Sequence, residues 1–187
     1  DPVTILAPDS LKQIHPLGKS PVITDDNGDV TVAESGAIIE YLSDTYGQET
    51  LKPKPGTQAY RQYIYWMHYA EGSLMPHLLM NMVFNKMKSG PMPFFVKPVA
   101  NMLVNKVMDI FVKPNVDTHL AYIEDHLTKH EWFAGDTLTG ADIQMSFPLE
   151  AGVSRGVIGS QYPNTQAYVQ RFQSRPAYQK ALKAGGS

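Results

Sequence analysis

The stretch QETLKPKPG, residues 48–56, divides the chain into two segments with different periodicities. Two prolines, a glycine and several charges with little apolar content make it linker chemistry. Before it, short β-rich runs alternate with turn residues; beyond it the pattern becomes long, Met- and aromatic-rich, and helical. The expected organisation is therefore two domains, residues 1–49 and 57–187. A chain of 187 residues with 43% hydrophobic content can bury one large core or two small ones.

In the first segment, APDSLKQIH (7–15) reads as a short helix. HPLGKSPVI (15–23) follows, with Pro16, Gly18 and Pro21 crowded together. Both prolines fix φ and lack an N–H, so this is a shaped loop and not a helix or central strand. X-Pro bonds are also the only ones that adopt cis at useful frequency. PVITDDNGDVTVAES (21–35) places the turn cluster Asp25-Asp26-Asn27-Gly28 between two β-rich runs, the strongest short hairpin signal. ESGAIIEYLSDTYG (34–47) then sets Ile38, Ile39, Tyr41 and Leu42 at helical spacing and stops at Gly47.

In the second segment two long helices are predicted, Thr57 to Lys88 and Pro98 to His130, kinked at Pro76 and Pro114. LTGADI (138–143) starts another helix: Thr139 caps, Asp142 reaches back from three residues on, and Leu138 and Ile143 form a hydrophobic staple. That helix is expected to run to about Val153, with shorter ones at Thr165–Gln173 and Pro176–Ala184 before Gly185-Gly186.

The net charge of −2 and pI near 6.3 lack the basic field that non-specific nucleic-acid binding needs, so no nucleic-acid partner is expected. Without cysteine there is no disulfide framework or cysteine nucleophile within these residues, which suits a reducing cytoplasm. No run approaches the ~18 apolar residues of a membrane span. His119, His126 and His130 have helical spacing compatible with metal ligation, but no HExxH pattern or carboxylate cluster accompanies them, and no metal is expected. Lys86, Lys88, Lys97, Lys106 and Lys113 read as a solvated, mildly basic face. His68, Gly72, Met75 and Leu79 share one helical face, where Gly72 leaves room for a ligand and Met suits variable apolar substrates; a plain core or interface stripe has the same spacing.

HPLGKSPVI, the hairpin, ESGAIIEYL directly after it, the Pro-rich linker, the helical second half and FAGDTLTGADI together resemble a cytosolic glutathione transferase of bacterial or fungal type. The resemblance implies an α/β thioredoxin-like N-terminal domain, here only its C-terminal part, followed by an all-α helical bundle. Against that plan an opening strand-helix-strand unit of about 30 residues or more is missing. The family's Tyr, Ser or Cys that activates glutathione lies there, so no catalytic residue is assigned, and residues upstream of Asp1 are expected.

The resemblance makes Ser20-Pro21 a cis bond, with the Ser20 main chain pairing with the cysteinyl part of glutathione as an added strand would. It places Ser35 on the γ-glutamyl carboxylate at a helix N-terminus, Glu34 on the ammonium and Lys19 on the glycyl carboxylate. Helix capping by Glu34 and Ser35 is the simpler alternative, as is a solvated Lys19. His15 stands where the family often has Asn, and His68 and Met75 are the acceptor-pocket candidates. The implied activity is conjugation of reduced glutathione, as co-substrate, to small, largely apolar electrophiles, with peroxide reduction as a further capacity, in a cytoplasmic, detoxifying homodimer. A non-catalytic ligand carrier or protein-interaction module of the same fold is the alternative.

Overall fold

The computed structural model describes residues 9–25, 28–47 and 50–185. The first residues from Asp1, the turn residues Asp26 and Asn27, Gln48 and Glu49 of the linker, and the terminal Gly186 and Ser187 lie outside the described residues.

Helix α1 (Asp9–Ile14) precedes the proline loop. Strands β1 (Val22–Asp25) and β2 (Val30–Ala33) form the antiparallel hairpin, with Val22 opposite Ala33 and Asp25 opposite Val30. Gly28 takes φ +99, a conformation that glycine reaches without a Cβ penalty. Helix α2 (Ser35–Tyr46) follows and ends at Gly47. The segment beyond it is held against α2, since Lys52 pairs with Asp44 at 2.9 Å and reaches Glu40 at 3.5 Å.

The first long helix is α3 (Gln58–Tyr69) and α4 (Met75–Ser89), separated by one π-helical turn at Ala70–Leu74. The second repeats the device: α5 (Lys97–Val107), a π-helical turn at Met108–Val112, then α6 (Lys113–Lys129). The expected proline kinks thus take the form of wide turns placed just before each proline. Met75 N–H bonds Ala70 O and Lys113 N–H bonds Met108 O, each an i→i−5 bond made by the last donor before Pro76 or Pro114. Proline cannot supply the next donor, and the added residue per turn lets the helix continue past the gap.

Helix α7 (Gly140–Ser154) runs through the centre and packs on α3 and α2. The Asp142 carboxylate accepts from Thr139 N–H (2.8 Å), Thr139 Oγ1–H (3.0 Å) and Phe133 N–H (2.9 Å), which realises the reach-back half of the capping box. Burial pushes its pKa up in spite of those donors. Leu138 and Ile143 pack against the core as the staple requires. Helices α8 (Pro163–Gln173) and α9 (Pro176–Gly185) complete the bundle. Helix α8 starts two residues earlier than predicted, at Pro163, because Glu124 of α6 accepts the N–H groups of Asn164 (2.8 Å) and Thr165 (2.9 Å) and so caps it from a distance.

The buried core is made of residues from Tyr63 to Phe172, with Trp66, Leu74, Leu120, Ile123, Met145 and Leu149 almost wholly sequestered. Among the described residues no helix is long and apolar enough to cross a membrane.

Candidate functional site

Where the proline loop, the tip of α2 and the inner face of α7 meet, they enclose a cleft of about 510 Å³. Its walls include Ser20 and Pro21, Glu34 and Ser35, Met75, and Gln144. The Ser20-Pro21 peptide bond is cis, as the resemblance implied. Among the described residues neither the N–H nor the C=O of Ser20 makes a main-chain hydrogen bond, and β1 begins only at Val22.

Glu34 is the N-cap of α2, yet its side chain makes no capping hydrogen bond. It also holds φ 75, the one non-glycine residue among those described with positive φ. Such a backbone costs on the order of 1–3 kcal/mol and persists where surrounding structure imposes it, often at binding sites. Ser35, the first helical residue, leaves its N–H among the unpaired donors of the α2 tip, where the positive end of the helix dipole faces the cleft.

Two residues that the sequence reading did not single out complete this corner. Gln144 on α7 is 3% exposed and donates from Nε2 to Ser35 Oγ at 3.0 Å and to Glu71 Oε1 at 3.3 Å. A carboxylate oxygen only accepts, so the amide must turn its nitrogen toward Glu71. Its own Oε1 is then buried without a protein partner. Glu71, in the first π turn, lines the cleft beside Glu34; burial and the Glu34 charge hold its carboxyl above the usual range. An unpartnered buried acceptor in a corner shared with the Glu34 and Glu71 carboxylates leaves this region rich in acceptors and short of donors. An amide set between Ile143 and Met145, on a helix start whose other polar side chain, Asp142, is spent on the cap, is the signal that points to Gln144.

His68 and Met75 separate. His68 joins Glu34, Ser35, Glu71 and Gly72 around an adjoining cavity of about 710 Å³, whereas Met75 faces Pro21 and Phe147. The π turn between them adds a residue and rotates the face on which regular helical spacing aligned them. A Cβ at Gly72 would meet nothing within 4 Å, so that cavity is open there. Lys19 is exposed and does not line the cleft, and His15 turns its Nδ1 to Leu17 N–H at 3.4 Å.

The histidines of α6 lie elsewhere. His119 contacts Tyr69 OH at 2.5 Å, and His126 stacks on Phe133 at 5.5 Å. No group of three His, Cys, Asp or Glu able to hold a metal occurs among the described residues.

A family model described as the glutathione S-transferase N-terminal domain matches residues 2–50, and one described as its C-terminal domain matches residues 108–176. Glutathione S-transferase 3 of Schizosaccharomyces pombe is 33% identical over 171 residues, covering 91% of this chain and 69% of that protein. The chain belongs to the glutathione S-transferase family. A crystal structure of a glutathione S-transferase from Actinobacillus pleuropneumoniae is 33% identical, with a TM-score of 0.70, over 95% of this chain and 74% of that one. A sphingomonad glutathione S-transferase complexed with glutathione shares the fold at TM-score 0.68 and 24% identity, over 92% and 77% of the two chains. The hairpin region with α1 and α2 is accordingly the thioredoxin-like part of a transferase of this family, and the later helices are its helical C-terminal domain.

Proposed function

We propose that the protein binds reduced glutathione in the Ser20–Ser35–Gln144 cleft and joins it through its sulfur to a small, largely apolar electrophile, with peroxide reduction, in which two glutathiones end as their disulfide, as a second use of the same thiolate. The reading rests on one observation above all: the α2 tip presents Ser35 beside two carboxylates and the orphaned amide oxygen of Gln144. Anion-seeking helix donors and cation-seeking acceptors side by side match the carboxylate and ammonium of a γ-glutamyl group.

In this arrangement Ser35 takes the γ-glutamyl carboxylate. Glu34, joined by Glu71 and the Gln144 amide oxygen, takes the ammonium. The Ser20 main chain pairs with the cysteinyl unit, and Lys19 reaches the glycyl carboxylate from the rim. The bound thiol loses its proton to solvent and the thiolate sulfur bonds to the electrophilic carbon while that carbon's bond to a leaving group, or the π bond of an unsaturated carbonyl whose α-carbon then takes up a proton, breaks. The protein has only to bind, orient and lower the thiol pKa.

The acceptor lies on the Met75 side of the cleft, and His68 belongs to the γ-glutamyl side. The domains divide as 1–49 and 57–187, and the protein works in the cytoplasm as a detoxifying homodimer. Exposed Tyr65, Met102, Leu103 and Ile110 on the long helices support pairing through that face.

Calorimetry with reduced glutathione and the full-length protein tests the reading. Ser35→Ala is expected to weaken binding about tenfold, in line with one hydrogen bond to a charged group. Equal affinity in the variant would remove Ser35 from the role.

A further inference from the structure

Beyond the glutathione cleft, and sharing Met75 and Phe147 with it, a second slot of about 350 Å³ runs between α4 and α7. Its walls are apolar for most of their length, with Leu78, Leu79 and Met82 on one side and Ala151 and Val157 on the other. Phe147, Ala151 and Arg155 stand at i, i+4 and i+8 on α7 and its C-cap, so they follow one face for about 12 Å. The slot therefore begins beside the cis-proline loop and ends at a guanidinium. The amides of Asn81 and Asn85 lie along it, bonded to each other at 3.2 Å.

Arg155 differs from the other arginines. Arg171 donates to Glu131 O and sits over the Trp132 ring, Arg175 also lies over Trp132, and Arg61 donates to Gly56 O. Among the described residues Arg155 has no such partner, and no carboxylate lines the slot with it. A free guanidinium at the end of an apolar channel is a receptor for a planar oxyanion, which it can hold through two parallel N–H bonds. One cation matches a monoanion; a phosphate dianion would call for a second, which the lining does not provide.

We propose that the acceptor is an apolar molecule bearing a carboxylate, held by Arg155 at the far end of this slot with its electrophilic carbon at the near end, between Met75 and Phe147. This rests on the transferase reading above and gives it a substrate class. The slot supplies hydrophobic contact along the body of the acceptor, and Arg155 sets the direction in which it enters. A neutral acceptor of the same shape gains the first and not the second.

The test pairs an α,β-unsaturated ketone ending in a carboxylate with its methyl ester, both offered to the full-length protein with reduced glutathione. The wild type should favour the acid in kcat/KM by about tenfold, the scale of one partly exposed charge-assisted contact. In Arg155→Gln that ratio should fall to near one, mainly through KM, and Arg155→Lys should keep part of it. An unchanged ratio in Arg155→Gln overturns the proposal.

Calorimetry with the saturated acid and its ester reads the slot without turnover. Tighter binding of the acid to wild type but not to Arg155→Gln upholds the slot even if no glutathione binds, a result that would sink only the transferase reading. Equal binding of acid and ester to wild type sinks the slot even if glutathione binds well.

Discussion

The hairpin region and the helical domain divide the work of the molecule unequally. Of the buried apolar residues, only Ile38 lies before residue 50 among those described; all the rest belong to the cluster from Tyr63 to Phe172. Yet Ser20, Pro21, Glu34, Ser35 and Ile39, half of the residues that line the cleft, all sit on the side with little core. The recognition surface is thus carried by a thin region that borrows its rigidity from the bundle. Beside the packing of Ile39 on the core, hydrogen bonds among the described residues that carry the loan include Gly140 N–H to Leu51 O at 2.8 Å, Gln144 to Ser35 at 3.0 Å, and Tyr63 OH to Glu40 at 3.4 Å. A site built in this way is as stable as the helix it leans on, and that helix is α7.

The largest expected effect comes from breaking the start of α7. Asp142→Ala removes the acceptor of Thr139 N–H and Phe133 N–H and leaves both donors buried. A lost cap plus an orphaned buried donor costs about 3–5 kcal/mol. Urea unfolding followed by Trp66 and Trp132, both in the helical domain, should show it, and a loss under 1 kcal/mol would contradict the account.

A smaller and more selective effect is expected at the seam. A Cβ at Gly140 would lie 2.8 Å from Ile39 Cγ2, 3.2 Å from Tyr63 Cε2 and 3.3 Å from Ser43 Oγ. Gly140→Ala therefore pushes α2 off the bundle at about 1–3 kcal/mol, the usual scale of overpacking. If the cleft depends on that docking, glutathione affinity should drop proportionally more than the urea midpoint of the helical domain. Equal losses would mean that the two regions unfold as one cooperative unit.

The mildest lever is pH, acting through a buried histidine of the helical side. Burial, then the neighbouring His130 charge, lower the pKa of His126 in the folded protein. The unfolded chain, with an ordinary histidine pKa of about 6.5, takes up that proton first as pH falls. Stability is therefore full above about 6.5 and declines as pH drops through the lower folded value. Since His126 lies 4.8 Å from the Trp66 ring, indole fluorescence during urea unfolding between pH 7.5 and 5 reads this slope directly. His126→Gln should flatten it, with His119 left to supply a remainder through its own burial.

Much of this was legible in the residues themselves. The Asn-Gly hairpin, the helix closing at Gly47, both long helices and the Thr139 start of α7 follow from turn chemistry and spacing. The prolines foretold where the long helices would be disturbed. They did not reveal that the disturbance would be a π turn, because that choice depends on how the flanking faces pack. The same turn undid the alignment of His68 with Met75, which regular helical spacing had put on one stripe. The early start of α8 was hidden for a related reason: its cap, Glu124, is 40 residues away in the chain.

By itself, then, the order of residues determined every feature that a few neighbours can enforce through φ restriction, side-chain period or a local cap. It fixed the loop at Pro21 and the helix beginning at Ser35 in this way. Only the folded chain decided that Gln144, 109 residues from Ser35, would hold its hydroxyl while turning an unpaired oxygen into the same corner as Glu34 and Glu71. A hydrogen bond between distant segments leaves no periodic trace, since it depends on where two helices cross and not on what either contains.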